Sequence, residues 1–376
     1  MKVRLIIIFA LALSIMACEN QEIEVEDFGT TAVYFPFQTP VRTIIQGDYD
    51  LGFNDNDNNG KFEIGVRMAG VFTNETDRLV HYELAPDLID AAALGVDTVN
   101  VKVLPSSYYT IEQTSPVTIP SGATDGRIPI QLQDAFFDDP LSFADFGDVH
   151  YVVPLKITRV EKLDSILSGV PTVQNPIKIK ADDWNPAPKD YTLFGIKFIN
   201  KYHGKYLRRG ADRIVGTSEV FTASTGITET VNIDTTSVYR ADFIVQDEVV
   251  DVFTSGRNST TVTNRVRRGK IPSEDNVTLN LDFDSSENIT ITNDQGSKFT
   301  VTGTGQLVED GDEWGGEKRN VIYLEYQYSD VQVVEETFFG QVTKRITIDL
   351  THTVNDTLVI RNRDIKFEEF IINLEK

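Results

Sequence analysis

Apolar and polar residues alternate with a period of two along most of the chain after residue 28. The clearest apolar series are Ile128, Ile130, Leu132; Val153, Leu155, Ile157; Val277, Leu279, Leu281, Phe283; and Ile346, Ile348, Leu350. Successive side chains of a β-strand point to opposite faces, so this alternation predicts half-buried strands. Only two short helices are expected, near residues 87–93 and 136–146. The pattern therefore predicts an all-β protein.

A cluster of prolines divides this pattern into two modules. Four prolines fall between residues 170 and 190, and they interrupt any ladder that needs backbone N–H donors. We therefore predict a linker at 176–189. Residues 28–175 are expected to form an immunoglobulin-like β-sandwich of roughly seven to eight strands. Residues 190–376 read as a meander of about eight strands that closes into a lipocalin-like antiparallel β-barrel.

The first 17 residues read as a signal peptide, with Lys2 and Arg4 ahead of an apolar run from Leu5 to Ile15. This run is too short to anchor the chain in a bilayer. It ends in Ile15-Met16-Ala17-Cys18, which looks like a bacterial lipobox, so Cys18 is predicted to carry lipid. The alternative is a chance cysteine in an ordinary signal peptide. Cys18 is the only cysteine, which excludes disulfides and CxxC chemistry.

The residues after Cys18 are strongly acidic. We predict a lipidated tether at 18–27, which carries five carboxylates between Glu19 and Asp27, and such a stretch resembles the surface-export signal of Bacteroidota lipoproteins. We expect an outer-membrane lipoprotein exposed at the cell surface, with periplasmic retention as the alternative. The formal net charge of −22 argues against nucleic acid as a partner.

Two segments resemble known families. The runs at 104–110, 117–122 and 151–157, which read LPSSYYT, VTIPSG and YVVPLKI, resemble domain-of-unknown-function family 1735, found in Bacteroidota surface lipoproteins and ahead of some family 18 glycosidases. The run FGIKFINKYHGKYLRRG at 194–210 is similar to the opening of the lipocalin-like family 5627. The resemblance implies a component of a polysaccharide-utilisation system, with an importer or a glycosidase of that system as a partner.

Neither resemblance brings defined catalytic residues, and the chain shows no catalytic motif of its own. It has four histidines, none spaced to bind a metal on one helix face, and it lacks a nucleophile elbow and a P-loop. We therefore expect a protein that is not an enzyme. His352 continues the apolar face of its strand, so it is expected to be a hydrogen-bonded core histidine, with ligand contact inside the barrel as the alternative.

Sugar binding calls for an exposed aromatic ring and polar groups around it. Trp314 lies in a very polar loop and is expected to be either a platform for sugar or a plug over the barrel end. Trp184 is the second candidate, although packing between the modules is the simpler interpretation. Tyr108 and Tyr109 are adjacent, so on a strand only one can face the core, and we retain Tyr109 as a weak surface candidate.

Two further groups of residues carry candidate chemistry. The basic segment that contains Arg208 and Arg209 could recognise acidic sugars, and a solvated strand face is the simpler interpretation. Asp55, Asp57 and Asn59 resemble the first half of a calcium loop, but Val66 stands where the bidentate glutamate should be. No cofactor is expected, calcium is a secondary hypothesis, and the alternative is an Asn/Asp-rich hairpin tip.

These observations predict a non-enzymatic, surface-anchored lipoprotein that binds glycan for a neighbouring importer or hydrolase. An adhesin or assembly subunit that binds protein partners through unpaired edge strands is the alternative from another class. A carrier of a small ligand inside the barrel is the third hypothesis.

Overall fold

The computed structural model describes residues 29–49, 52–269, 273–294 and 296–375. Its N-terminal part is a sandwich of two β-sheets. The first sheet contains β1 (Ala32–Tyr34), β3 (Lys61–Ala69), β7 (Tyr109–Ile111), β9 (Asp125–Leu132) and β11 (Ser165–Ile166). The second contains β2 (Pro40–Ile45), β4 (Arg78–Leu84), β6 (Lys102–Val103), β8 (Val117–Ile119), β10 (Tyr151–Glu161), β12 (Tyr191–Ile199) and β22 (Glu368–Glu369). A separate pair joins β5 (Thr98–Val99) to β23 (Leu374–Glu375).

The two sheets enclose one apolar core. Ile64 and Ile128 come from the first sheet, while Leu155 and Phe198 come from the second, and all four are buried in the same cluster. The alternation at residues 128–132 therefore does place one face of β9 in the core, as expected. Short helices lie near both predicted positions. The α-helices are α1 (Asp55–Asn58), α2 (Ala91–Leu94) and α3 (Asp134–Phe137), and the 3₁₀ turns are Pro86–Ile89, Pro140–Ser142, Ala181–Asp183 and Ile244–Gln246.

The sandwich contains residues that we had expected in the second module. Strand β12 is hydrogen-bonded between β10 and β2, so it belongs to the sandwich although it begins after the predicted boundary at 190. The chain also returns after the barrel, because β22 pairs with β2 and Phe370 packs in a buried cluster with Leu193. A boundary drawn on prolines missed both features, since sheet pairing joins segments that are distant in sequence.

The second part is a closed antiparallel barrel. Its eight strands are β13 (Gly204–Thr222), β15 (Glu248–Gly256), β16 (Ser259–Arg265), β17 (Asn276–Phe283), β18 (Asn288–Asn293), β19 (Thr300–Trp314), β20 (Glu317–Phe338) and β21 (Gln341–Asn362). From β15 to β21 each strand pairs with the next, and β13 pairs with both β15 and β21. The predicted meander barrel is therefore present, and the all-β fold is confirmed.

Three barrel strands continue beyond the closed part. The ends of β13, β20 and β21, together with β14 (Ile227–Tyr239), form a four-stranded sheet in which β14 pairs with residues 210–222. We call this sheet the ribbon. Its inner face holds the small buried cluster of Ile214, Ile348 and Leu350.

Polar side chains fix the junction between sandwich and barrel. The Asn200 side chain donates to the carbonyl oxygens of Gly256 and Ser259 at 3.0 and 2.8 Å. The Arg363 guanidinium donates to the carbonyl oxygens of Asn200 and Asp48 at 2.7 and 2.8 Å. Since these bonds tie β12, β16 and the end of β21 together, the barrel rim is held against the loop that follows β2.

Candidate functional site

The barrel rim at this junction contains a cleft of about 340 Å³, which we call the rim cleft. Its floor is apolar, formed by Tyr206, Leu307 and Ile360, while its walls are mostly charged. The wall residues are Gly47, Asp48, Lys201, Glu309, Asp310, Glu317, Lys318, Arg319, Asn320 and Arg363. An apolar floor with convergent polar groups is the usual composition of a small-molecule site.

A bulge in β19 forms the acidic wall of the rim cleft. The pairing of β19 with β20 shifts register between Val308 and Asp312, and Asp310 has a φ of 53°. The backbone N–H of Asp310 donates to the Asn320 side chain at 3.1 Å. Because a bulge turns side chains away from the regular alternation, Glu309 and Asp310 are both exposed at the cleft.

The charges of the rim cleft balance formally, with four acidic and four basic side chains in its walls. Three of the basic groups are engaged: Lys201 pairs with Glu287 at 2.5 Å, Arg319 with Glu317 at 2.5 Å, and Arg363 binds carbonyl oxygens. Within the described part of the chain, the side chains of Asp48, Glu309, Asp310 and Lys318 have neither an ion pair nor a hydrogen bond. These four are available to a ligand.

Trp314 lies beside the rim cleft, at the end of β19. Its indole Nε1 donates to the carbonyl oxygen of Ile360 at 3.0 Å, and the Arg319 guanidinium lies 4.8 Å from the ring centroid. The side chain is half-buried. Trp314 therefore closes the barrel edge and can offer a ligand only the part of the ring that Arg319 leaves open.

Trp184 neither packs between the modules nor stands as an exposed platform for sugar. Its Nε1 donates to the carbonyl oxygen of Ile177 at 2.9 Å, Lys178 Nζ lies 4.9 Å from the ring centroid, and its backbone bridges to Pro171. All these contacts are within the segment between β11 and β12. Trp184 thus folds the predicted linker onto itself instead of packing between the modules.

Tyr109 was the wrong choice of the two adjacent tyrosines. It is buried in the sandwich core, with 8% of its surface exposed. Tyr108 is the half-buried one, and its hydroxyl group donates to Asp139 Oδ2 at 2.9 Å. Neither ring is an exposed platform.

Arg208 and Arg209 do not form the basic surface that the sequence suggested. Arg208 is 2% exposed, and its Nε and Nη2 donate to Asp356 Oδ2 at 3.0 and 2.9 Å. Arg209 Nε donates to Asp247 Oδ2 at 2.5 Å. Their charges are neutralised by these carboxylates, so they are not placed to bind an acidic sugar.

The predicted calcium ligands do not converge on one point. Asp57 is buried, forms an ion pair with Arg42, and accepts from the backbone N–H of Ile45 at 2.9 Å. Asn59 donates to the carbonyl oxygen of Asp55 at 2.7 Å. The segment is a short helix instead of a hairpin tip, and Asp57 fastens it to β2. In the described ranges no group of three or more His, Cys, Asp or Glu side chains is placed to hold a metal ion.

The barrel end opposite the rim cleft contains a buried ionic cluster that the sequence did not reveal. Arg268, in the loop after β16, pairs with Asp330, whose Oδ1 accepts from Nη2 at 3.0 Å. His352 lies between two carboxylates, with Nδ1 at 2.9 Å from Asp212 Oδ2 and Nε2 at 3.8 Å from Asp330 Oδ2. His352 is fully buried and stacks on Tyr328 at 4.2 Å, so the expectation of a hydrogen-bonded core histidine is met.

The pKa values in this cluster follow from its geometry. Burial alone would lower the pKa of His352, but the hydrogen bond to Asp212 and the charges of Asp212 and Asp330 outweigh burial and raise it above 6.5. Burial opposes ionisation of Asp330, yet hydrogen bonds from Arg268 and Gln332, together with the nearby His352, hold the pKa of this carboxyl far below its usual range. The geometry therefore favours the ionised forms of His352 and Asp330 inside the protein.

Two predictions concern membranes. Cys18, the predicted lipid attachment site, lies outside the described residues. Among the residues that the structure does describe, no helix is long and apolar enough to cross a bilayer.

Comparison with protein families agrees with the division into two parts. The model of the domain of unknown function DUF5627 matches residues 201–364. This is the family that the sequence of this region resembles. A second model, described as "-like, N-terminal domain", matches residues 28–164. This N-terminal match does not carry the 1735 name, so the exact domain arrangement stays a prediction. No curated protein matches the chain.

Solved structures similar to this chain come from Bacteroides. A Bacteroides ovatus protein of unknown function is 27% identical, with a TM-score of 0.73, and the match covers 93% of this chain and 100% of that one. A Bacteroides ovatus multidomain protein that includes DUF1735 is 15% identical, with a TM-score of 0.39 over 89% and 96% of the chains. An auxiliary nutrient binding protein from Bacteroides thetaiotaomicron is 12% identical, with a TM-score of 0.36 over 86% and 92%.

These comparisons indicate which proteins the chain resembles, but they indicate no activity. The chain is similar to Bacteroides proteins of unknown function over nearly its whole length.

Proposed function

We propose that this protein is a non-enzymatic lipoprotein, anchored through Cys18 to the outer membrane and exposed at the cell surface, that binds glycan at the rim cleft for a polysaccharide-utilisation system. The observation that carries the proposal is the cleft itself, where four ionised side chains converge without partners in the described structure. Its volume falls within the range of about 300 to 1,000 Å³ typical of small-molecule sites.

The chemistry of the cleft suits a neutral sugar better than an acidic one. The unpartnered carboxylates of Asp48, Glu309 and Asp310 accept hydrogen bonds from hydroxyl groups, and Lys318 donates to ring or hydroxyl oxygens. The carboxylates of Asp48, Glu309 and Asp310, which have no ion-pair partner in the described structure, would repel a uronate or a sulfate placed beside them. The arginines that could have recognised such groups are neutralised by carboxylates elsewhere in the barrel.

The position of the cleft also suits display away from the membrane. The chain enters the sandwich next to Ala69, because Ala32 pairs with that residue at the far end of β3. The cleft lies near the opposite end, where Gly47 bonds to the Asn58 side chain. The nine residues of β3 span about 30 Å, so the cleft lies roughly that far from the point where the described chain enters the sandwich.

The test uses the soluble chain from Glu19 onward in native affinity electrophoresis across plant, fungal and host polysaccharides, followed by calorimetry with oligosaccharides of the glycan that retards it. The double variant Glu309→Gln/Asp310→Asn should weaken binding at least about tenfold, since two charge-assisted hydrogen bonds become neutral ones. Reducing ends measured in the same incubations test the expectation that the protein is not an enzyme.

One control and one further variant complete the test. Glu325→Gln changes an exposed carboxylate on the outer face of β20, away from the rim cleft, and should bind as the parent does. Trp314→Ala removes the aromatic edge beside the cleft. Retardation by no polysaccharide, with a folded β signal by circular dichroism, would contradict glycan capture.

A further inference from the structure

One edge of the sandwich is left open. On one side β3 pairs with β9 from Lys61 to Arg67, but on the other side β1 covers only Arg67 to Ala69. In the described residues no strand pairs with this second edge between Lys61 and Val66. A strand edge with unpaired N–H and C=O groups is a template for another strand.

A slot of about 200 Å³ runs along this open edge. Three consecutive residues of β3, Ile64, Gly65 and Val66, line it. Because successive side chains of a strand point to opposite faces, three neighbours can share one slot only if the strand's own edge forms its wall. Three aromatic side chains, Phe35, Phe37 and Phe194, line it as well. We call this feature the edge slot.

A polar group without a partner faces the edge slot. Thr192 lines it and is 1% exposed, yet its hydroxyl oxygen has no hydrogen-bond partner among the described residues. A buried hydroxyl group without a hydrogen-bond partner is energetically unfavourable. An occupant with a donor or acceptor at this point would remove that cost.

One arginine at the mouth of the slot has no ion-pair partner in the described structure. Arg127 is neutralised by Asp125 at 2.9 Å and Glu63 at 3.3 Å. Arg67 is exposed and lines the slot, and no carboxylate or carbonyl oxygen of the described chain pairs with its guanidinium. Its charge therefore complements an acidic group on an occupant.

We propose that the edge slot binds an extended peptide strand of a partner protein by adding that strand to β3. The free backbone groups of β3 pair with the peptide, one apolar side chain enters between Phe37 and Phe194, and an acidic residue of the peptide lies against Arg67. A sugar could also contact the aromatic walls, but it would leave the row of backbone groups along β3 unpaired. The structure therefore favours a strand.

The experiment uses the soluble chain from Glu19 onward and a fluorescent peptide, Thr-Val-Glu-Val-Glu-Val-Glu-Thr, with a second peptide in which lysine replaces every glutamate. Anisotropy gives the affinities, and hydrogen exchange by mass spectrometry locates the bound strand. The glutamate peptide should bind about tenfold more tightly than the lysine peptide, and it should slow exchange at residues 61–66.

Variants separate the edge slot from the rest of the protein. Arg67→Glu should reverse the preference between the two peptides, and Phe37→Ala should weaken both about tenfold. Arg213→Glu changes an exposed arginine on the ribbon and serves as the matched control. Glu309→Gln/Asp310→Asn should leave peptide binding unchanged, so failure of glycan binding at the rim cleft does not affect this result.

Three outcomes would overturn the proposal. Backbone pairing tolerates many sequences, so absence of binding by both peptides at millimolar concentration would exclude strand addition. Binding without slowed exchange at residues 61–66, or protection of these residues by an oligosaccharide instead, would assign the slot to another ligand.

Discussion

The two ends of the barrel use the same charged residue types in opposite ways. At the ribbon end, Arg268, Asp330 and His352 are buried and each faces an opposite charge. At the rim cleft, Glu309, Asp310 and Lys318 lie in contact with water and have no such partner in the described structure. The surroundings of a charge, and not its residue type, therefore decide whether it stabilises the fold or is available for binding.

The physical reason is the cost of desolvation. A charge taken out of water must recover that cost from a partner in good geometry. The Arg268 guanidinium does so through two atoms on Asp330, with further bonds to Ser273 and Asp275. A charge that stays hydrated has no such requirement and keeps its hydrogen-bonding capacity for a ligand.

The largest expected effect comes from breaking the buried pair. Asp330→Ala leaves the buried Arg268 with Asp275 as its remaining carboxylate partner and removes a carboxylate next to His352, so it should lower the free energy of unfolding by about 3 kcal/mol. Urea denaturation followed by circular dichroism measures this. Glu335→Ala is the matched control, since its pair with Arg345 at 2.6 Å is half exposed and is worth less than about 1 kcal/mol. Equal losses in the two variants would contradict the comparison.

A smaller effect concerns two histidines whose contributions to stability should change with pH in opposite directions. The raised pKa of His352 means that its charged form adds stability in full below pH 6.5, and this contribution is lost as the pH rises through the raised value. Burial lowers the pKa of His203 to about 4, and the backbone N–H of Thr254 donates to its Nδ1 at 3.1 Å. Its contribution is therefore lost as the pH falls from 6.5 towards 4.

Unfolding free energies of His352→Gln and His203→Gln, measured from pH 4 to pH 9 beside the parent, test these signs. The deficit of His352→Gln should shrink as the pH rises above 6.5, whereas the deficit of His203→Gln should shrink as the pH falls below 6.5. Parallel curves for the two variants would show that neither histidine titrates as its contacts indicate.

Much of the fold could be predicted because strand alternation is local. The period-two series at 277–283 and 346–350 lie on barrel strands, as expected, and the meander order followed from short turns. What failed depends on distant contacts. The sequence showed that Arg208 is basic, but not that Asp356, which is far away along the chain, neutralises it inside the barrel.

The candidate site was predictable only in part for the same reason. Trp314 was singled out by its polar loop and does lie beside the rim cleft, but its contact with Ile360 depends on how β19 meets β21. The cleft itself combines a sandwich loop with the barrel rim, through Asp48 and Glu309. No local pattern joins two residues so far apart, so the cleft could be found only in the folded chain.

The smallest expected effect on stability is at the rim cleft, and it completes the comparison. Glu309→Gln and Lys318→Met remove hydrated charges that hold nothing in the described structure, so each should change the free energy of unfolding by less than about 0.5 kcal/mol. The same urea titration measures both variants beside Asp330→Ala. A loss of unfolding free energy as large as that of Asp330→Ala would mean that these charges stabilise the fold. That result would contradict the proposal that the rim cleft is a binding site. A near-zero change, together with weakened glycan retention in Glu309→Gln, would show that the barrel keeps its structural charges at one end and its binding charges at the other.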